Sequence, residues 1–112
     1  MVGQFHEVQP IDRNLAEDAF NSNDARKICD ALVRVTYYDS DFKWVQSKCI
    51  VFLKSNDINV KRLAITCLGH LARIHKKLDK ELVIPLLEQL RTDKYLGGTA
   101  EDALDDIEMF LQ

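Results

Sequence analysis

The chain has no long apolar run. No stretch approaches the roughly 20 consecutive apolar residues that a membrane-spanning helix needs, and "MVGQFHEVQP" at the start carries neither a basic nor an apolar leader segment. These absences point to a cytoplasmic protein without membrane attachment. Four Gly and two Pro in 112 residues are too few for an all-β fold built on tight turns, and too few for a disordered linker. Cysteine is scarce as well. Cys29, Cys49 and Cys67 are odd in number and lack CxxC spacing, so they read as buried thiols of helices rather than as metal ligands or a redox pair. HExxH, P-loop and GxGxxG motifs are absent. His6, His70 and His75 are scattered, and the last two stand five apart, about 140° around a helix, which is wrong for a shared metal. The expectation is a non-enzymatic protein with no cofactor and no metal.

What is present is a repeat. Ile28, Ala64 and Ala100 are 36 residues apart, and the same interval relates Ala31, Cys67 and Ala103, then Leu32, Leu68 and Leu104, then Val35, Leu71 and Ile107, then Tyr38, Ile74 and Phe110. Within each unit these residues occupy one face of an α-helix, small near its start and large further on. Each such helix is preceded by another apolar segment: residues 11–20, 41–53 and 79–90. In the second, Phe42, Val45, Cys49, Phe52 and Leu53 form a stripe; in the third, Leu82, Leu86, Leu87 and Leu90 do. Ser40 or Asp41, and Asp79, are placed to cap these helices. Pro85 is expected to kink or restart its helix. Ser22-Asn23-Asp24 and Ser55-Asn56-Asp57 are the polar turns between paired helices. In the third unit Gly97-Gly98 is expected to loosen the turn, with Thr99 to Asp102 as a capping box. A period of this length predicts an all-α, right-handed α-solenoid of three antiparallel helical hairpins, at about 12–39, 41–77 and 79–112, forming one domain. Beginning at Met1, the three units read as a complete chain.

The stretch "LKSNDINVKRLAITCLGHLA", with Asp57, Val60, Lys61, Ala64, Leu68-Gly69 and Leu71-Ala72, resembles the HEAT repeat. The third unit keeps Pro85-Leu86-Leu87, Asp93, Ala100, Ala103-Leu104 and Ile107, but Leu96 is followed by no basic residue. The first unit matches only in apolar spacing, and an armadillo-like array would share that spacing.

Charge is segregated along the chain. Residues 1–40 hold seven acidic and four basic side chains, 41–78 hold two and eight, and 79–112 hold nine and three, for net charges of −3, +6 and −6. Glu101, Asp102, Asp105, Asp106 and Glu108 crowd the last helix on the side opposite its apolar face. This block is either the solvated cap of a terminal repeat or a surface for a basic partner. Lys61, Arg62, Arg73, Lys76 and Lys77 form the basic counterpart and the alternative, nucleic-acid-binding site. Among the aromatics, Tyr38 is expected to be buried, Tyr37 exposed and Trp44 at a groove or surface. Tyr95, in the last turn, is the aromatic best placed as an anchor.

In size, fold and charge the chain resembles the immunity proteins of bacterial polymorphic toxin systems, including contact-dependent growth inhibition, some families of which use HEAT-like repeats. That resemblance implies binding and neutralisation of a cognate toxin, often a basic nuclease, with Glu101, Asp102, Asp105, Asp106, Glu108 and Tyr95 as contacts. Two other classes share the fold: a nucleic-acid-binding HEAT-like protein, although HEAT-like DNA glycosylases are much longer, and a scaffold subunit of a larger assembly.

Overall fold

A computed structural model describes residues 7–111, and His6 lies outside them. The described residues form six α-helices: α1 (Arg13–Phe20), α2 (Ala25–Tyr38), α3 (Phe42–Phe52), α4 (Ile58–His70), α5 (Lys80–Leu90) and α6 (Gly97–Phe110). A single π-helical turn, Leu71–His75, extends α4. No strand occurs among the described residues. The fold is all-helical.

Four helices start on an aspartate that accepts backbone N–H bonds at the exposed helix end. Asp12 caps α1, Asp24 caps α2, Asp41 caps α3 and Asp57 caps α4. Each satisfies donors that would otherwise lack a partner within the helix. The two Ser-Asn-Asp turns share a second bond, in which a serine hydroxyl accepts from the aspartate N–H, at 3.1 Å in both. They differ at the central residue: Asn23 is left-handed with φ 58°, a conformation asparagine tolerates.

The third unit departs from its predicted caps. Asp79 makes no capping bond through its side chain; its own N–H instead donates to Gln46 Oε1 at 2.7 Å, which ties α5 to α3. α5 runs unbroken through Pro85, which is exposed, so the lost N–H costs one bond at the surface without restarting the helix. α6 begins at Gly97, two residues before Thr99, so the expected capping box is not formed. Instead the Gly97 N–H donates to Asp93 O at 2.9 Å, and the Asp93 carboxylate accepts from the N–H groups of Tyr95 and Leu96 at 2.8 and 2.9 Å.

Gly97 and Gly98 therefore open a helix rather than loosen a turn, and their roles differ. A Cβ on Gly97 would stand 2.4 Å from the Arg91 carbonyl oxygen, whereas one on Gly98 would meet nothing within 4 Å. Gly97→Ala is expected to destabilise by about 1–3 kcal/mol through overpacking against backbone. Gly98→Ala is expected to stabilise by about 0.4–1 kcal/mol, by helix propensity and reduced freedom of the unfolded chain. Urea titrations of the two variants check this, since equal midpoint shifts would contradict the close approach.

Packing follows the predicted apolar faces. α1 pairs with α2, α3 with α4 and α5 with α6, while α4 lies between α2 and α6. The first four residues of the first two quintets are buried, as are Ala100, Ala103 and Ile107 in the third. α4 and α6 approach closely at Gly69: a Cβ there would come within 3.1 Å of Ala103 Cα. Two residues of the predicted apolar faces are exposed. Tyr38, expected to be buried, is 52% exposed at the end of α2, and Leu82 is 48% exposed in the first turn of α5. The core of α5 is instead Val83 and Leu87. Tyr38 has a different use. Its hydroxyl donates to Val8 O at 2.7 Å, and Arg34 donates to Gln9 O and Pro10 O, so the segment before α1 is held along α2.

Candidate functional site

The acidic residues of α6 divide between two grooves. Glu101, Asp105 and Glu108 line one of about 580 Å³ together with Lys80, Ile84, Glu88 and Arg91 of α5. Asp102 and Asp106 line another, of about 300 Å³, with Arg62, Thr66 and His70 of α4. The division follows from helical geometry. Steps of 100° per residue place 101, 105 and 108 on one side and 102 and 106 on another. Ala103, between them, is pressed onto Gly69. Within the first groove Arg91 bridges Glu88 and Glu101 at 3.2 and 3.3 Å. Asp105 and Glu108 make no ion pair among the described residues.

His70 of the second groove makes a partly buried polar contact. Arg73 Nη2 lies 2.9 Å from His70 Nδ1. Arginine can only donate, so Nδ1 is the acceptor and the ring proton sits on Nε2. The Tyr37 ring meets His70 edge-on, with centroids 6.0 Å apart, so Tyr37 is half-buried rather than free. Burial and the neighbouring Arg73 cation hold His70 below its ordinary pKa of 6.5, with the Asp106 carboxylate opposing them. A depressed histidine pKa means the unfolded chain takes up the proton first. Its stabilising contribution is complete above pH 6.5 and is lost as pH falls through the lower, folded value. The stability of wild type relative to His70→Asn is therefore expected to decline as pH drops below 6.5. Urea midpoints measured across that range check this, and parallel pH profiles would contradict it.

The basic set is not brought together. Lys61 and Arg62 lie at the start of α4, while Arg73, Lys76 and Lys77 lie at or beyond its other end, roughly 20 Å away at 1.5 Å per residue. Several are engaged within the protein. Arg62 donates to the Tyr95 carbonyl oxygen at 3.4 Å, Arg73 serves His70, and Lys76 caps Arg73 O and sits 4.7 Å over the Phe110 ring. Lys61 contributes to holding the Asp93 carboxyl below its usual range, after the backbone N–H groups of Tyr95 and Leu96. It thereby provides an electrostatic link from the second unit to the third. Tyr95 is 66% exposed beside these turns, with Lys94 over its ring.

A polar network between α1 and α3 was not among the sequence candidates. Arg13 grips Asp39 with two bonds at 2.8 and 2.9 Å and lies 4.0 Å over the Trp44 ring. Glu17 accepts from Lys48 at 2.8 Å and from the Trp44 indole at 3.3 Å, and the Lys48 bond holds its carboxyl below the usual range against burial. The one available signal was that Trp44 falls off the apolar stripe of α3. His75 was missed similarly: it donates to Thr36 O at 2.7 Å, satisfying a carbonyl in the last turn of α2 from the neighbouring unit.

Among the described residues no group of three or more His, Cys, Asp or Glu is arranged to hold a metal. Cys49 and Cys67 are fully buried, and the Cys49 thiol is pushed well up by its hydrogen bond to Cys67 and by burial, which disfavours the thiolate. No helix among the described residues is long and apolar enough to cross a membrane. Of the acidic residues of α6, Glu101, Asp102, Asp105 and Glu108 are exposed, as is Tyr95, while Asp106 is half-buried.

No family model matches the chain. No curated protein matches it. Among solved structures, the chain is similar to one in a CDI complex from Cupriavidus taiwanensis LMG 19424, with a TM-score of 0.84 and 29% identity over 97% of this chain and 96% of that one.

Proposed function

We propose that this chain is a non-catalytic protein-binding module, an immunity protein that binds and neutralises a cognate toxin in the cytoplasm. The observation that carries the reading is the similarity, over nearly the full length of both chains, to a component of a CDI complex. CDI here is taken as contact-dependent growth inhibition. The acidic third unit supports a basic partner, such as a nuclease domain, with Glu101, Asp102, Asp105, Asp106, Glu108 and Tyr95 as the contacts. We read the fold as three HEAT-like hairpins of a right-handed solenoid. The pairing of α1 with α2, α3 with α4 and α5 with α6, and the placement of α4 between α2 and α6, support that reading. A nucleic-acid role through Lys61, Arg62, Arg73, Lys76 and Lys77 is disfavoured by their separation along α4.

Co-purification of the tagged chain from its native cells, with nuclease treatment and mass spectrometry, tests the proposal. The expected result is a stoichiometric protein partner that survives nuclease and carries a toxin domain. Recovery of nucleic acid alone, or of a multi-subunit assembly with no toxin domain, would overturn it.

A further inference from the structure

The α5/α6 groove has an apolar floor as well as charge. Ile107 is buried there, and Ile84, Leu104 and Leu111 are partly covered. On α6, Leu104 and the rim residues Glu101, Asp105 and Glu108 lie about 100° or more around the helix from Ala103, the residue pressed against α4. The groove is thus the outer face of the last helical pair, where one further helix would continue the packing. Its rim carries four carboxylates, Glu88, Glu101, Asp105 and Glu108, against Lys80 and Arg91. Arg91 is already committed to Glu88 and Glu101. The unsatisfied charge is therefore negative and centred on Asp105 and Glu108, both exposed.

We propose that this groove docks a basic amphipathic helix of a protein partner, whose apolar residues seat on Ile84, Leu104 and Leu111 and whose cations meet Asp105 and Glu108. The occupant is chosen by charge. A second copy stacking end to end would bring residues 1–40, net −3, or another third unit, net −6, onto this face, and like charges oppose that contact. Apolar anchors at i, i+3/i+4 and i+7 are the spacing a groove between two helices recognises. The inference rests on the reading of the chain as a toxin-binding protein, and it narrows the contact from the whole acidic helix to one of its two sides.

The test uses a capped Leu/Lys peptide of about five helical turns, patterned so that Leu repeats every three to four residues. Its controls are a scrambled peptide of the same composition and a patterned Leu/Glu peptide. Binding is followed by amide shifts of the isotope-labelled protein. The patterned basic peptide is expected to shift Ile84, Leu104, Asp105 and Glu108 and to bind at least about tenfold more tightly than either control. The D105K/E108K variant, changed only at exposed positions, should lose that advantage while keeping wild-type helicity. Equal binding of the scrambled peptide, shifts centred on α4, or no binding would overturn the proposal. So would a wild-type dimer in sedimentation that D105K/E108K disperses, which would place a second copy on this face. The same variant is then offered the co-purified partner. If wild type binds it and the variant binds equally well, the docking inference falls and the proposed function stands. If wild type captures no partner, the functional reading falls and the peptide measurements judge the groove by themselves.

Discussion

Leu68→Ala is expected to lower the unfolding free energy by about 2–5 kcal/mol, the range for truncating a fully buried leucine whose surroundings collapse only partly. Leu68 is 0% exposed on α4, the helix that packs against both α2 and α6. Its neighbours Ala64, Cys67 and Leu71 are also fully buried, so few side chains are free to move into the cavity. A loss of this size is a large share of the roughly 5–15 kcal/mol that stabilises a small domain. Lys61→Ala, on the same helix, should cost about 0–1 kcal/mol, because its electrostatic link to Asp93 is solvent-screened. Urea titration of both variants decides the point. Comparable losses would mean that the face assigned to α4 is wrong.

Neutralising Asp102, Asp105 and Glu108 together, to Asn and Gln, is expected to slow association with the partner by about tenfold at low salt, with the difference shrinking as salt is raised. All three are exposed, so folding should be little affected. Asp106 is left intact because it is half-buried beside His70. The structure also dictates the control. Asp12 caps α1 and Glu17 is tied to Lys48 and Trp44, so neither can be changed without disturbing the fold. Glu7, Asp18 and Glu81 are exposed and remove the same net charge elsewhere. Stopped-flow association rates for the two triple variants separate location from total charge. Equal rates would make the α6 carboxylates a solubilising cap.

The helices and most of the core were legible because burial follows a simple angular rule. Residues at 36-residue intervals share a face, and Ile28, Ala64 and Ala100, Leu32 and Leu68, and Val35 and Leu71 are all buried. Periodicity gives an angle around a helix but not a distance along its neighbour. That is why Tyr38, in the last position of α2, and Leu82, in the first turn of α5, have the predicted phase but lie outside the core. Gly97 was misread for a related reason. A Gly-Gly pair signals a turn locally, and the need for an absent Cβ arises from the Arg91 carbonyl, visible only once the chain has folded back. The acidic block itself was legible in the sequence. Its division was not, because it depends on where α4 and α5 lie around α6. Side-chain bonds such as Arg13 to Asp39 and His75 to Thr36 O join residues 26 and 39 apart and leave no mark on any local pattern.

The most direct measurement of the central claim is growth of cells that express the toxin domain of the co-purified partner, with and without this chain. Growth should be arrested by the domain alone and restored by wild-type chain, with the two purifying as a stoichiometric complex in which the domain's activity is blocked. Arrest that persists at full expression of folded chain, with no complex recovered, would contradict the account.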